Sequence, residues 1–463
     1  MTRRLLLAIA LGILLTAGAQ ALAADQSPTD LQAIIDQADA GSTVTLLPGT
    51  YTGGATIDKP LVLTGNLDSV IDGGGEGTLL TVVVPNVTIN GLTLRASGAS
   101  LDREDAAISV LAPRVSITNN VFADVLFGVF LRTAPNSVVS NNVIGAKDVF
   151  IANRGDGIRL WESEQSVVEG NTIHGGRDSV FWFTDEVVVR NNEVTGGRYG
   201  LHFMYSDGAV VEGNVLSNNS VGAFLMYSRD VTVRNNIMAE NHGPSGYGIG
   251  FKDMDRVTAD GNRFIGNRVG MYFDNTPYTH NEHEFITNNL IAYNKIGLLL
   301  QPSVKRNIFS NNAFIDNTKQ VGVSGSGEFS GNDWSYEGVG NYWSDFAGYD
   351  ADGNGVGDVS YRIDDLYNTL TDKHPDLQFY QDTPAAKAIT LAARAFPVLK
   401  PRPILEDAYP LIVRPEMPTV VTSASGAGSV PLALTSALMV ASALALILLP
   451  GRKRRTRTRE VAT

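Results

Sequence analysis

A repeat of about 22 residues constrains what this chain can fold into more than any other feature of its sequence. Residues 187–236 hold two consecutive copies, VVVRNNEVTGGRYGLHFMYS and VVEGNVLSNNSVGAFLMYS, and end on VRNN. Each copy has a β-branched strand with apolar residues at every second position, then an Asn, then a Gly that opens another short strand. Short strands at this spacing, with no room for a helix, predict an all-β parallel β-helix and exclude a leucine-rich repeat.

One asparagine per repeat marks the period along most of the chain. The marker positions are Asn120, Asn142, Asn171, Asn192, Asn214, Asn236, Asn262, Asn289, Asn312 and Asn332. In a β-helix, equivalent side chains of successive coils stack at a strand spacing of about 4.8 Å. Each Asn can then hydrogen-bond its copy in the next coil, so we expect this column to be structural.

The two ends of the chain carry different hydrophobic signals. Residues 1–23 combine two Arg, an apolar run and a small-residue cleavage site, which is typical of a secretory signal peptide. Residues 431–449 contain no charge and would span about 28 Å as a helix, close to one bilayer core. The basic residues of 450–463 predict a cytoplasmic tail. We therefore expect an exported chain with a C-terminal membrane anchor; a buried core helix at 431–449 is the alternative.

Between these signals the sequence predicts a solenoid followed by an arm. Residues 24–382 are predicted to form the β-helix domain, with a short amphipathic cap helix at 30–39 and a capping segment at its C-terminal end. Residues 383–430 are rich in Pro and small residues, which predicts an extended arm. The longer spacing between Asn262 and Asn289 holds the loop NTPYTHNEHE, and loops of this kind often carry function.

The charge of the exported part argues against nucleic acid as a partner. Without the signal peptide and the basic tail, 28 Lys and Arg stand against 47 Asp and Glu, a balance of −19. Such a surface repels polyanions. The sequence also has no Cys, so no thiolate can bind a metal or act as a nucleophile.

Several strings resemble one family. GRYGLHFMYS, VGAFLMYSRDVTVRNN, GYGIGFKDMD and NYWSDFAGYDADGNGVGD are similar to sequences of the NosD family, over roughly residues 40–415. The resemblance implies a right-handed β-helix in the periplasm that works with a membrane permease and a cytoplasmic ATPase of the ABC type. It also implies a role in assembling the copper-sulfide centre of nitrous oxide reductase, with metal delivered by a copper chaperone. The predicted C-terminal anchor is a feature that we do not assume for the family.

Alternation in the strand GLHFMYS separates core residues from candidate ligands. Leu201 and Phe203 suit the core, so His202 and Met204 should point outward, and Met226 is the equivalent of Met204 in the next coil. Cu(I) favours thioether and imidazole ligands, the only soft ligands of a cysteine-free chain. The pattern predicts copper contacts at His202, Met204 and Met226, with flexible Met packing as the alternative.

The position ten residues before each marker Asn predicts a surface column. Its members are Trp161, Trp182, Met204, Met226 and Lys252. Exposed apolar groups of this size usually mark a contact site, so we expect partners to dock here. His280 and His283, in the long loop, are further candidate copper ligands, with solvated loop histidines as the alternative.

A second metal-binding pattern follows the repeats. Asp350, Asp352, Asn354 and Asp358 space oxygen ligands as an EF-hand loop does, although position twelve is Tyr361 where such a loop has Glu. The string could bind Ca²⁺ weakly, or it could be a Gly-rich turn that caps the solenoid.

Two other classes of function remain open. Many β-helices cleave or epimerise acidic polysaccharides, and Asp156, His174, Asp178 and Asp185 are the best candidates for such chemistry, although the acidic surface would repel a polyanion. A docking scaffold that binds no metal is the other class. Hydrolysis of ATP is excluded, because no Lys follows a Gly and the phosphate-binding GK motif is absent.

Overall fold

A computed structural model describes residues 28–324, 331–363, 370, 374–380, 383–395 and 405–416. The predicted signal peptide at 1–23, anchor at 431–449 and basic tail at 450–463 lie outside these residues. None of the helices in the described ranges is both long and apolar enough to cross a membrane.

The chain is an all-β, right-handed parallel β-helix of about 12 coils, each contributing one strand to each of three parallel sheets. Strands are numbered in chain order. Sheet 1 contains β1 (Thr43–Thr45), β4 (Val62–Thr64), β7 (Thr88–Asn90), β10 (Ser116–Thr118), β13 (Val138–Ser140), β16 (Val167–Glu169), β19 (Val188–Arg190), β22 (Val210–Glu212), β25 (Thr232–Arg234), β28 (Thr258–Asp260), β31 (Glu284–Thr287) and β34 (Asn307–Ser310). Sheet 2 contains β2 (Gly49–Thr52), β5 (Ser69–Asp72), β8 (Thr93–Arg95), β11 (Val121–Val125), β14 (Val143–Ala146), β17 (Thr172–His174), β20 (Glu193–Thr195), β23 (Val215–Ser217), β26 (Ile237–Ala239), β29 (Arg263–Ile265), β32 (Leu290–Ala292), β35 (Ala313–Ile315) and β37 (Tyr342–Trp343). Sheet 3 contains β3 (Ala55–Ile57), β6 (Leu80–Val82), β9 (Ala106–Val110), β12 (Phe127–Arg132), β15 (Ile158–Trp161), β18 (Asp178–Trp182), β21 (Tyr199–Met204), β24 (Val221–Met226), β27 (Tyr247–Lys252), β30 (Val269–Asp274), β33 (Ile296–Leu300) and β36 (Lys319–Val323).

Alternation along these short strands creates one continuous core. Apolar side chains at every second position point inward from all three sheets and stack on their equivalents in the next coil. In sheet 3, Phe181 and Phe203 stack with ring centroids 4.6 Å apart. Met271, on the inward side of β30, is fully buried. Because each coil presents its apolar face to the same interior, the core extends along the solenoid without growing in width.

The marker asparagines form a buried hydrogen-bonded ladder, as predicted. The amide oxygen of Asn142 accepts from the backbone N–H of Asn120 at 3.0 Å, and its NH2 group donates to the carbonyl of Ile117 and to Asn171 Oδ1, both at 2.9 Å. The ladder satisfies turn groups that would otherwise be buried without partners. A second ladder, which the sequence analysis missed, has the same geometry. It contains Asn219, Asn241, Asn267, Asn294 and Asn317.

The predicted last step of the ladder is wrong. Asn312 donates to Asn341 Oδ1 at 2.9 Å, whereas Asn332 accepts from Asn307 at 3.0 Å in a different column. Counting the nearest Asn failed because Asn341 lies 29 residues after Asn312, and Asn332 falls within that same coil. The ladder ends at Asp407, whose Oδ2 accepts from the Asn341 N–H at 2.7 Å and from Trp343 Nε1 at 2.9 Å.

Both ends of the solenoid are capped. At the N-terminal end, helix α1 (Leu31–Gln37) buries Leu31 and Ile35, and the carboxylate of Asp30 accepts from the Ala33 N–H at 3.2 Å. At the other end, Trp343 stacks between Phe314 and Tyr361 at centroid distances of 4.3 and 4.4 Å. The predicted cap helix is therefore confirmed.

The segment predicted to be an extended arm is partly folded. Within residues 383–430, helix α2 spans Pro384–Ala395, and β39 (Leu405–Asp407) pairs antiparallel with β38 (Tyr361–Ile363); a 3₁₀ helix at Pro375–Tyr380 precedes the segment. The expectation of an extended chain from 383 is wrong for α2, which is helical. It is also wrong for β39 as a free arm, because Leu405 and Asp407 are buried. The Pro content of the segment predicted an extended arm. The contacts of Asp407 with Asn341 and Trp343 could not be recognised, because these residues lie more than 60 positions earlier in the sequence.

Candidate functional site

The outer face of sheet 3 carries the predicted surface column. Trp161 pairs with Trp182, Trp182 with Met204, Met204 with Met226 and Met226 with Lys252 in consecutive strands. Arg132 precedes this column and Asp274 follows it. All five predicted members are half-buried, so they are less exposed than the sequence analysis expected.

Met204 and Met226 are the two soft ligands that this face brings together. They are direct register partners in adjacent parallel strands, about 4.8 Å apart at the backbone. Trp182 lies on one side of the pair, and Lys252 lies on the other, with its Nζ 3.0 Å from Asp274 Oδ2 and 3.3 Å from Asp253 Oδ2. Lys252 is thus held by carboxylates, and two thioethers remain as the uncharged centre of the column.

His202 lies on the predicted side of the strand but is not exposed. Only 6% of its surface is accessible, because the rings of Trp182 and Tyr199 pack edge-on against it at centroid distances of 5.3 and 4.9 Å. The expectation of an open imidazole is therefore wrong. Its Nδ1 lies 3.5 Å from Asp178 Oδ2, and neither ring nitrogen makes a well-formed hydrogen bond with the described residues.

A buried polar cluster surrounds this histidine. Asp178 accepts from Arg198 through both carboxylate oxygens, with Nε at 3.0 Å from Oδ1, and also from the Tyr199 N–H at 3.2 Å. Burial raises the pKa of Asp178, but the nearby His202 ring and the hydrogen bonds from Arg198 outweigh it and leave that pKa below its ordinary value. Asp156, one coil earlier, lies 3.9 Å from Arg159. Burial and the charge of Asp178 raise the pKa of Asp156 to about 7.

The four residues proposed for polysaccharide chemistry do not all converge. Asp156 and Asp178 belong to the polar cluster. His174 is exposed on sheet 2, with Nδ1 2.9 Å from Thr195 Oγ1, and Asp185 is an exposed turn residue that accepts from the Asp207 N–H at 2.8 Å. His174 lies on another face of the solenoid because β17 belongs to sheet 2, whereas Asp178 lies in β18 of sheet 3. The sequence analysis missed Arg198 and the pairing of His202 with Asp178, although the spacing from Asp178 to Tyr199 equals one coil.

The long loop after β30 lies at the edge of the same face. His280 and His283 are exposed in it, and the loop is attached to the preceding coil through Thr279, whose N–H and Oγ1 donate to Asp255 at 2.7 and 2.6 Å. The structure gives these histidines no ligand partner, and their proposed role in copper binding stays a prediction.

The calcium-like string forms an exposed turn. Asp350 accepts from the N–H groups of Gly353, Asn354 and Gly355 at 2.7 to 3.2 Å, and the Ala351 N–H donates to Asp358. These hydrogen bonds lower the pKa of Asp350, chiefly the one from Gly355. Asp352 and Asn354 likewise accept from nearby backbone. This is the geometry of an Asx-rich turn, and calcium binding stays a prediction.

Within the described ranges, no three His, Asp or Glu residues are grouped so that they could hold a metal ion. A metal site built from imidazole and carboxylate ligands alone therefore has no support there. The Met204 and Met226 thioethers, with His202 two residues before Met204 in the same strand, are the donor set that fits a soft cation.

Comparison with known proteins shows clear relatives. The family described as "Periplasmic copper-binding protein (NosD)" matches residues 140–348. A "Probable ABC transporter binding protein NosD" of Pseudomonas aeruginosa is 37% identical over 391 residues, which cover 82% of this chain and 90% of that protein. A protein of the same name from Stutzerimonas stutzeri is 33% identical over 424 residues, covering 88% and 94%.

A solved structure supports the fold. The A-module of the mannuronan C-5 epimerase AlgE6 from Azotobacter vinelandii matches with a TM-score of 0.53 and 17% identity, covering 66% of this chain and 93% of that module. At this identity the likeness concerns the β-helix alone and carries no activity over to this chain.

Proposed function

Because this chain belongs to the NosD family of periplasmic copper-binding proteins, we propose that it carries Cu(I) as cargo on the outer face of sheet 3, between Met204 and Met226. In this proposal it is the periplasmic subunit of an ABC-type system that matures nitrous oxide reductase. The observation that carries the proposal is the register pairing of two half-buried methionines on a face where the neighbouring cation, Lys252, is already held by carboxylates.

Thioether chemistry suits a carrier. Cu(I) is a soft ion, and in a chain without Cys the sulfur ligands come from Met. Two neutral thioethers bind Cu(I) without a proton to release, so loading and unloading require no deprotonation. His202 would add an imidazole to this pair, oriented by Asp178, as metal-binding histidines usually are by a carboxylate.

The names of the relatives and the missing GK motif support the proposal that this chain works with a separate ATPase and permease. Its relatives are named ABC transporter binding proteins, and the sequence has no phosphate-binding GK motif, so a partner ATPase and its permease would supply the energy. The column of Trp161, Trp182 and Lys252 around the Met pair supports docking of the reductase and of a copper chaperone. Residues 431–449 would anchor the protein in the cytoplasmic membrane.

Cu(I) binding by the full-length chain tests the proposal. Anaerobic competition with a Cu(I) chelator compares the wild type with Met204→Leu/Met226→Leu, which preserves side-chain volume but removes both sulfur atoms. The matched control is Met238→Leu/Met271→Leu, which changes two buried methionines of the core. We expect the affinity to fall at least ~100-fold in the outer pair and to remain in the control.

Two results would contradict the proposal. If the wild type binds no Cu(I), the outer face is a docking scaffold for the reductase that binds no metal. If the outer double variant binds as tightly as the wild type, the copper site lies elsewhere, with His280 and His283 as the next residues to replace.

A second function is favoured by one observation, the polar cluster. Asp156 has a pKa of about 7 and lies beside Asp178 and His202, which is an arrangement suited to general acid–base catalysis on a polysaccharide. Lyase or epimerase activity on a uronan, lost in Asp156→Asn, would establish it. The acidic surface opposes a polyanionic substrate, so we rank this function below copper transport.

A further inference from the structure

A cavity of about 500 Å³ lies beside the methionine pair, where β21, β24 and β27 end. Its walls include Tyr205 and Tyr227, which directly follow Met204 and Met226 in the sequence, and Tyr278 of the long loop. Asp253, Asp255 and Arg229 supply its charged groups. The copper function proposed above makes no use of this cavity.

Stacked rings form one wall. Phe183 stacks on Tyr205 at 5.1 Å, and Tyr205 stacks on Tyr227 at 5.0 Å, with interplanar angles of 9° and 15°. All three have left-handed backbone angles, with φ between 53° and 55°, at the turn that leaves sheet 3. In the described part of the chain the stack ends at Tyr227, because the next coil has Asp253 at the equivalent position. A ring face therefore borders a carboxylate.

The part of the cavity wall that the long loop forms is fixed in place. Tyr278 is 65% exposed, and its N–H donates to the carbonyl of Met254 at 2.8 Å. The next residue, Thr279, is held by the two hydrogen bonds to Asp255 described above. Arg306 donates to the carbonyl of Thr279 at 3.3 Å. Because several contacts hold this loop, the cavity exists before any ligand binds.

The charge of the cavity favours a cation. Arg229 is neutralised by Asp207, with Nε 2.8 Å from Oδ2. Lys252 reaches Asp253 at 3.3 Å but lies closer to Asp274, at 3.0 Å. Of the charged groups that line the cavity itself, Asp253 and Asp255 are acids and Arg229 is a base, so the lining carries one more acid than base. An aromatic face beside surplus carboxylates is the environment that binds a planar guanidinium, through cation–π and charge-assisted contacts.

We propose that this cavity receives an arginine side chain of the protein that exchanges copper with Met204 and Met226. The identification of that partner rests on the function proposed above, since the tyrosines of the cavity adjoin the two methionines. An arginine held there would fix the orientation of the partner over the thioethers, and it would exclude partners that lack a basic group at that position.

Binding of a small arginine probe to the full-length chain tests this inference. N-acetyl-arginine amide is titrated in parallel with N-acetyl-citrulline amide, which has nearly the same shape and no charge, and binding is followed by NMR. We expect millimolar affinity for the arginine probe and at least ~5-fold weaker binding of citrulline, since a cation–π contact is worth about 1 kcal/mol. Tyr227→Ala and Asp253→Asn should each weaken arginine binding, whereas Tyr336→Ala, at an exposed tyrosine that does not line the cavity, should not.

The outcomes separate this inference from the copper function. Equal binding of the two probes, no binding of arginine, or no effect of the cavity variants would each overturn it. Cu(I) affinity is measured on Tyr227→Ala and should be unchanged; Asp253→Asn is left out of this comparison because Asp253 also contacts Lys252 beside the methionine pair. If Cu(I) binds at the methionine pair but arginine does not bind, the cavity inference fails and the copper function stands. If arginine binds but Cu(I) does not, the assignment of the cavity to a copper-exchanging partner fails.

Discussion

The asparagine ladder and the outer face of sheet 3 belong to the same coils but are built by opposite rules. Along the ladder the same residue recurs, and each amide oxygen accepts from the backbone of one neighbour while the NH2 group donates to another. Along the outer column the residue changes from Arg132 through Trp and Met to Asp274. Here buried polar atoms such as Trp182 Nε1 lack a partner within the described chain.

This difference separates the part of each coil that stabilises the fold from the part that is available for recognition. A repeated, fully hydrogen-bonded column adds the same stabilisation to each coil. A column that changes from coil to coil has no repeated hydrogen bond to add, and groups left without partners cost free energy unless a ligand or partner uses them. The irregular column is therefore the place to look for function.

The largest effect is expected inside the ladder. Asn214→Ala should lower the free energy of unfolding by about 3 kcal/mol, because it removes the acceptor of the Asn192 N–H and leaves buried groups without partners. Urea unfolding measures the change. Asn153→Ala, at an exposed asparagine, is the matched control and should cost less than about 0.5 kcal/mol. Equal effects at the two positions would remove the basis of the comparison.

A smaller loss is expected where the ladder ends. Asp407→Ala should destabilise the protein by about 2 kcal/mol, since the Asn341 N–H and Trp343 Nε1 lose their shared acceptor. Hydrogen exchange of the Asn341 amide should increase locally in this variant, while coils around Asn192 keep their protection. Unchanged exchange at Asn341 would show that another group closes the ladder.

The polar cluster of the outer face should give a pH dependence that the asparagines of the ladder lack. The folded pKa of Asp156 is raised to about 7, so its folding contribution is fully present below its unfolded pKa and is lost as pH rises toward 7. Between pH 5 and 7 the free energy of unfolding of the wild type should therefore fall by about 2 kcal/mol more than that of Asp156→Asn. Glu284, whose pKa burial raises to about 8, contributes equally to both proteins, so the difference between them reports Asp156. Identical pH profiles of stability would contradict this prediction.

The smallest effect on stability is expected at the methionine pair. Met204→Leu/Met226→Leu should change the free energy of unfolding by less than about 1.5 kcal/mol, because both side chains are half-buried and the volume is preserved. Thermal unfolding without copper provides the measurement. A larger loss would mean that these methionines act as core packing and would weaken their assignment as ligands.

Periodicity made much of the fold and half of the site predictable. Alternation and the spacing of Asn fixed the register of Met204 and Met226, because a strand has only two faces. The second ladder, which begins at Asn219, could also have been found in the sequence, because its asparagines recur at the same period. The burial of His202 was not predictable, since it depends on how Trp182 and Tyr199 pack over it. Asp407 was beyond reach because no period connects it to Asn341.

The carboxylate that ends the ladder has a consequence for the order of folding. Trp343 and its acceptor Asp407 are 64 residues apart in the chain, and Asn341 is 66 residues from it. A chain that emerges N-terminus first can add coils one after another, each templated by the coil before it. The hydrogen bonds of Asp407 to Asn341 and Trp343, which complete the last coil, cannot form until residue 407 has emerged. The last coil is therefore completed only after nearly all of the described chain is available, so the C-terminal end of the solenoid is the last part to become stable.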